Sequence, residues 1–277
     1  PRPKTSAADW NQWDTTDQSA FLTIEQRLGS DWSLRGDASY HRQVENSKLL
    51  WLSGTPDRDT GLGMSVWPYW YLTKPEQWHL SAMAKGGFTL FGQRHELVIG
   101  GMYSRLENGW TNRDPVAAMP DVGNFNAWDG SYPEPEWGER YIASGWGNTV
   151  QSAVYGVTRL HITDGLTLIA GGRLSNWKRE EEEAVWTPVA FTMRHKGVFT
   201  PYAGLVFDIS EAFSAYASFT RIFNPQTYRD RDGRYLDPLE GTNYEGGLKA
   251  TLLNGRLRAS AAVLTSGSSF ASRSAAS

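Results

Sequence analysis

Cysteine is absent from the 277 residues, so the chain has neither a disulfide framework nor a thiolate zinc site. No apolar run approaches the roughly 18 residues that a membrane helix needs, which excludes a helical membrane protein. Neither charge dominates: 27 Lys and Arg stand against 30 Asp and Glu, a net of -3, and that balance offers no reason to expect nucleic acid as a partner. Helical periodicity is nearly missing too. The chain begins Pro1-Arg2-Pro3-Lys4, without an initiator Met or an apolar targeting segment, the start expected of a mature form or of a piece of something longer. What is abundant is aromatic and flexible: 13 Trp, 12 Tyr, 11 Phe and 28 Gly, in a chain only 21% charged.

Period-two alternation takes the place of helical spacing. Trp32, Leu34, Gly36, Ala38 and Tyr40 share one face while Ser33, Arg35, Asp37 and Ser39 share the other. Leu80-Ala82-Ala84-Gly86-Phe88-Leu90, Tyr244-Gly246-Leu248-Ala250-Leu252 and Leu257-Ala259-Ala261-Val263 repeat the pattern. Segments near 97–105 and 166–177 carry apolar residues on both parities. Ten strands are expected, at about 18–28, 32–46, 77–91, 94–107, 148–162, 165–178, 197–208, 212–223, 241–253 and 255–264.

The connections say more than the strands. Tight turns are expected at Gly29-Ser30-Asp31, Gly92-Gln93, Thr163-Asp164-Gly165, Ile209-Ser210-Glu211 and Asn254-Gly255, the last a strong hairpin signal. Long segments at about 47–76, 108–147, 179–196 and 224–240 separate them in strict alternation. Short turns at one rim and long loops at the other are the habit of outer-membrane barrels, whose crossings need about nine to eleven residues per strand. Aromatics such as Trp32, Tyr40, Trp78, Phe219 and Phe223 gather near strand ends, where two interfacial girdles belong. The expected fold class is all-β, a transmembrane antiparallel β-barrel over residues 1–264. Residues 265–277, with six Ser and three Ala, lose the alternation and are expected to be an unstructured tail, frameshifted or truncated. An unclosed sheet would leave two bare edges in the bilayer, so the barrel is expected to be partial here.

The stretch Leu236-Asp237-Pro238-Leu239-Glu240-Gly241-Thr242-Asn243-Tyr244-Glu245-Gly246-Gly247-Leu248-Lys249 resembles the barrel of TonB-dependent outer-membrane receptors for ferric siderophores, particularly hydroxamate and pyoverdine receptors. Supporting likenesses are Phe88-Thr89-Leu90-Phe91-Gly92-Gln93-Arg94-His95-Glu96-Leu97, Leu166-Thr167-Leu168-Ile169-Ala170-Gly171-Gly172-Arg173 and Ala215-Tyr216-Ala217-Ser218-Phe219-Thr220. Together they span about residues 18 to 264. The resemblance implies a barrel of about 22 strands filled by an N-terminal plug and driven by the inner-membrane TonB complex. This chain would supply about ten of those strands, with the plug domain and TonB-contact segment absent. Implied partners are a ferric siderophore, the TonB complex through the missing plug, and outer-membrane lipid, in a Gram-negative outer membrane. No cofactor is intrinsic, and ferric iron enters only as the siderophore complex.

Several motifs have plainer readings. Asp230-Arg231-Asp232-Gly233 starts like a calcium loop but lacks the spacing, so it reads as a turn. Asp237, Glu240 and Asn243 read as shaping a rim turn. Lys178-Arg179-Glu180-Glu181-Glu182-Glu183 reads as a solvated loop tip. His79 or His195 with Asp114 or Asp129 would be needed for an outer-membrane protease, and nothing in their spacing supports that, so no enzyme, catalytic residue or metal ligand is expected. The ligand site is expected in the aromatic loops. Val66-Trp67-Pro68-Tyr69-Trp70-Tyr71 places Trp67, Tyr69 and Tyr71 on one face, with Pro68 and Trp70 on the other. Tyr103, Arg105, Trp110, Trp137 and Trp146 lie in or beside the loop 108–147, accompanied by Trp128, Tyr132 and Tyr141. Flat rings plus a few polar donors suit a bulky, partly apolar chelate. The function expected is capture and TonB-driven import of ferric siderophore. The rival readings are a passive porin or structural barrel and a nonfunctional receptor remnant.

Overall fold

The computed structural model describes residues 6–139, 142–184 and 189–270. Eleven strands follow one another: β1 (Gln12–Leu28), β2 (Trp32–Gly54), β3 (Met64–Thr73), β4 (Glu76–Leu90), β5 (Gln93–Arg113), β6 (Ile142–Thr163), β7 (Leu166–Glu181), β8 (Phe191–Asp208), β9 (Phe213–Asn224), β10 (Leu239–Leu252) and β11 (Leu257–Phe270). All pairings are antiparallel within one sheet. A single 3-10 turn at Phe125–Ala127 is the one helical element among the described residues.

The eleven strands fill ten places. β3 pairs β2 with Thr73 opposite Glu45, and β4 pairs β2 with Glu76 opposite Arg42. The register continues without a slip across Lys74 and Pro75. On the other side Thr73 faces Trp110 and Glu76 faces Glu107, again in unbroken register. β3 and β4 are therefore one long strand, interrupted where Pro75 has no N–H to donate, while its carbonyl still accepts from Gln43 N–H at 3.0 Å. The segment expected to be a loop at 47–76 is mostly sheet.

Other strands also outrun their expected ends. β5 continues to Arg113 and β6 begins at Ile142, which shortens the expected loop 108–147 to 114–141. The run Lys178–Glu181 is not a loop tip but the end of β7, where Lys178 pairs with Glu180 at 2.5 Å and Arg179 with Glu181. β11 extends to Phe270, opposite Leu239, so the first six residues of the expected tail are strand; residues 271–277 lie outside the described residues. The physical reason is common to all. Backbone pairing depends on a neighbour at the right register, which local alternation does not report.

Register sorts the two faces. One row crosses all ten places as Leu28, Trp32, Gly86, Leu97, Thr158, Ala170, Ala203, Phe219, Tyr244 and Thr265. The adjacent row, on the opposite face, reads Arg27, Ser33, Lys85, Val98, Val157, Gly171, Tyr202, Thr220, Asn243 and Ser266. An apolar face with a polar reverse is what a strand needs between lipid and a wet interior. On the apolar face the Tyr40 and Trp78 rings meet at 4.5 Å, and Phe219 and Tyr244 at 5.4 Å. Beyond each pair come charges, Arg42 opposite Glu76 and Arg221 in a diagonal ion pair with Glu240. From Trp32 to Tyr40 is nine residues. At roughly 3.3 Å per residue and a tilt of about 40°, that spans roughly 23 Å, the height of a lipid-facing band.

Glycines let rings lie flat across the ladder. At Gly171, a Cβ would sit 2.6 Å from the Tyr202 ring and 2.5 Å from the Gly156 carbonyl oxygen. The ring thus covers the bare backbone of the strand beside it. Among the described residues the one buried apolar cluster lies outside the lipid band, where Ala8, Leu50 and Tyr132 pack with Trp10, Leu52, Val66, Met119 and Trp128. It joins the long loop to the outer extension of β2 and β3.

Candidate ligand-binding face

Above the Tyr40–Trp78 pair, the upper lengths of β2, β3 and β5 continue the polar face of the sheet. Here Glu45, Ser47, Leu49 and Trp51 stand opposite Thr73, Tyr71, Tyr69 and Trp67. Asn112 and Trp110 extend two of these rows on β5. The alternation of Val66–Tyr71 survives in the strand, which keeps Trp67, Tyr69 and Tyr71 on this one face. Tyr69 and Tyr71 rings lie 5.2 Å apart, and Trp51 and Trp67 are both more than half exposed.

Beneath the rings is a half-buried acid anchor. The Tyr71 hydroxyl donates to the Glu45 carboxylate, and the Ser47 hydroxyl, fully buried, reaches the same oxygen at 3.4 Å. Burial, reinforced by that bond to Glu45, pushes the Tyr71 phenol up to about 12, so it stays a protonated donor at any physiological pH. Thr73 Oγ1 donates to the Gly109 carbonyl at 3.0 Å, tying β3 to β5. Asn112 is buried; its Nδ2 donates to Asp114 at 2.9 Å, while its Oδ1 has no partner among the described residues. The face therefore presents flat rings held by polar groups underneath. Such a surface binds a large planar or mixed apolar ligand without making or breaking bonds.

The profile of a family described as "TonB dependent receptor-like, beta-barrel" matches residues 1–264. This chain belongs to the TonB-dependent receptor β-barrel family. Members of this receptor family are not enzymes, and they reside in the outer membrane of Gram-negative cells. Among curated relatives, the ferric-pyoverdine BN7/BN8 receptor of Pseudomonas putida is 35% identical over 274 residues, covering 95% of this chain and 33% of the relative. The ferripyoverdine receptor of Pseudomonas aeruginosa is 32% identical, covering 93% of this chain and 31% of its own length. The solved pyoverdine receptor FpvA of P. aeruginosa PAO1, bound to pyoverdine, superposes with a TM-score of 0.84 at 29% identity, over 97% of this chain and 38% of that one. The chain spans about a third of the length of the curated relatives it matches.

Within a receptor barrel the polar face lines the interior, and that decides how the expected site residues divide. Trp67, Tyr69, Tyr71 and Trp110 are brought to the interior face. Tyr103 and Arg105 are not. Their register places them with Leu80 and Trp78 on the lipid side, and Arg105 is held by Glu107 two residues along the same strand. Trp146 also has the lipid-side parity, opposite Gly109, and lines a cavity of about 290 Å³ with Trp110, Lys74 and Glu182. Trp137 leaves the loop to pack on the outer side, 5.7 Å from Trp70 and 6.1 Å from Trp10, its indole N–H donating to Glu134 at 3.1 Å. Trp70 in turn lies between Lys48 at 4.6 Å and Arg113 at 4.5 Å. Tyr132 is buried in the loop cluster with Trp128 beside it, and Tyr141 falls outside the described residues. Sequence reasoning missed Glu45, Ser47, Trp51 and Asn112. Glu45 lies in a segment expected to be strand, and the other three lie in lengths of β2 and β5 beyond the expected strand ends; continuing the β2 alternation upward from Tyr40 finds the first three.

Proposed function

We propose that this chain forms the wall of a receptor that captures a ferric siderophore at the cell exterior, with the interior aromatic face of β2 and β3 as part of the capture surface. The observation that carries the reading is the joint placement of Trp51, Trp67, Tyr69 and Tyr71 on one interior face, above the lipid band, anchored by Glu45. Ring faces pack against the apolar body of the chelate, and Tyr and Asn groups bond its carbonyl-rich shell. The relatives named for ferric pyoverdine favour that siderophore class. Iron arrives and leaves inside its chelator, so the wall need not ligate it. Energy for release into the periplasm would come from TonB acting on a plug outside this segment.

The test is tryptophan fluorescence of the protein in non-ionic detergent, titrated with ferric pyoverdines and, in parallel, ferric catecholates. Saturable quenching by a pyoverdine, weakened about tenfold or more in Trp67→Ala, is the expected result, since a buried ring contact contributes of order 1–3 kcal/mol. A porin would show no saturable quenching by either class, and that outcome would end the receptor reading.

A further inference from the structure

β8 and β9 part company partway up. Their pairing ends at Tyr202 opposite Thr220, although β8 runs on to Phe191 and β9 to Asn224. Pro201 stands where the pairing stops, as proline does at sheet edges. Gly197, at φ +65°, accompanies a register shift against β7 between Ser175 and Trp177. Above this point each strand keeps only its other neighbour, β7 or β10. A slot of about 620 Å³ opens between them, just outside the Phe219–Tyr244 pair that marks the membrane edge.

Six ionisable side chains line the slot: Arg194, His195, Lys196, Arg221, Asp237 and Glu240. Arg221 is neutralised by Glu240 at 2.8 Å. Arg194 and Lys196 are exposed and have no ion-pair partner within 4.0 Å among the described residues. His195 packs between Trp177 at 5.6 Å and Phe223 at 5.4 Å, and its Nε2 is buried with no hydrogen-bond partner among the described residues. Burial lowers its pKa, with Asp237 pulling the other way, so the ring is neutral near pH 7 and able to donate one bond. Among the described residues Asp237 is the one lining carboxylate without an ion-pair partner, and the two unpaired cations outnumber it. A buried polar atom without a partner, next to surplus positive charge, fits an oxygen-rich anion.

We propose that the slot between the upper ends of β8 and β9 is a phosphate site, in which Arg194 and Lys196 supply the charge and His195 Nε2 a further hydrogen bond. The phosphate has two sources at this height: the headgroup of an outer-leaflet lipid, or a free phosphate from the medium. The first requires the membrane edge to run past the slot, which the adjacent aromatic pair indicates. No step of siderophore capture is involved.

The experiment uses protein extracted from outer membranes in non-ionic detergent. It is titrated with inorganic phosphate by calorimetry. Separately, it is placed in mixed micelles carrying phosphatidic acid or phosphatidylcholine, and retained lipid is read by native mass spectrometry. Binding of inorganic phosphate, or retention of phosphatidic acid over phosphatidylcholine, is expected, and which probe binds identifies the source. The double variant Arg194→Gln with Lys196→Gln should weaken it about tenfold or more, the charge-preserving Arg194→Lys with Lys196→Arg should restore most of it, and Arg42→Gln, elsewhere on the same side, should leave it unchanged. Heat-shifted migration on gels verifies that each variant keeps its barrel. No preference for either probe, or equal binding by the glutamine variant, overturns the site. Tryptophan quenching by ferric siderophore should persist in every variant, so failure here is separable from failure of the receptor reading.

Discussion

Strands β2 to β5 obey one set of rules below the Tyr40–Trp78 pair and another above it. Below, the apolar side faces lipid, so its residues are selected for being apolar or small, as in Gly36, Ala82 and Gly101, which stand side by side. Covering them is left to the bilayer. Above, the same side is covered by protein: Leu50, Leu52 and Val66 meet the loop residues Met119, Trp128 and Tyr132. Membrane strands need no protein core because lipid removes their apolar surface from water. Once past the girdle that help ends, and the long loop must supply a small core of its own. The comparison teaches that one continuous strand can be two materials, divided by an interface.

The sharpest way to break that comparison is to move a charge across it. Ala82→Arg, on the lipid side within the band, should cost about 2–4 kcal/mol, whereas Ser81→Arg, one residue away on the polar side, should stay within about 1 kcal/mol. Urea titration of the protein folding into vesicles measures both, and equal costs would dissolve the distinction between the two faces. Next in size is Gly171→Ala within the band. The added methyl meets the Gly156 carbonyl as well as the Tyr202 ring, and backbone cannot rotate away, so about 1–3 kcal/mol should be lost. Gly36→Ala, whose nearest foreign atom would be 4.0 Å away, should be close to neutral in the same assay.

Above the girdle the effects shrink. Tyr71→Phe removes the bond to Glu45 and should cost about 0.5–1.5 kcal/mol, read in the same titration, while loosening the ring face and lowering siderophore affinity. The smallest effect concerns the loop latch, where Lys48 Nζ donates to Glu134 at 2.6 Å. This bond, with a smaller contribution from the Trp137 indole N–H, holds the Glu134 carboxyl below its ordinary value. A lowered folded pKa stabilises the docked loop fully above the unfolded value of about 4.3 and loses that contribution as pH falls through the folded value. The pair is partly exposed, so about 0.2–1 kcal/mol is at stake. Glu134→Gln should speed protease cleavage of the 114–139 loop a fewfold at pH 7, and the wild-type rate should approach the variant's as the pH falls through the lowered folded pKa of Glu134. Identical rates at both pH values would remove the latch.

The membrane part was legible at the level of single residues. Trp32 to Tyr40 and Tyr244 to Leu252 alternate because one side meets lipid and the other water, and that requirement acts on each residue separately. The segments at 97–105 and 166–177 were harder for a reason the register supplies: Val98 and Val157 lie side by side in the interior row, and Ile169 sits on the same polar face next to Arg159. The upper strand ends are expected as loops because Ser47–Trp51 and Asn108–Arg113 carry polar residues on both sides. Once loop covers one side and water fills the other, alternation no longer distinguishes them. The same failure hid Ser47 and Asn112 from the candidate site, and closeness to the loop drew Tyr103 and Arg105 into it. Proximity along the chain to Trp110 does not say which way a strand residue points.

What the amino-acid order determined unaided is the set of local constraints: the lipid-facing periodicity, the tight turns such as Asn254-Gly255, the girdle rings, and a family motif in Leu236–Lys249 that carries the barrel's identity. Those are properties of residues and their near neighbours. Tertiary structure alone decided three other things. It joined β3 to β4 through Pro75 in a single register, brought Glu45 under Tyr71 from 26 residues away, and opened the slot where β8 leaves β9. Each depends on which strand lies alongside which, and at what offset. That choice minimises the free energy of the whole sheet, so no window of sequence shorter than the pairing contains it.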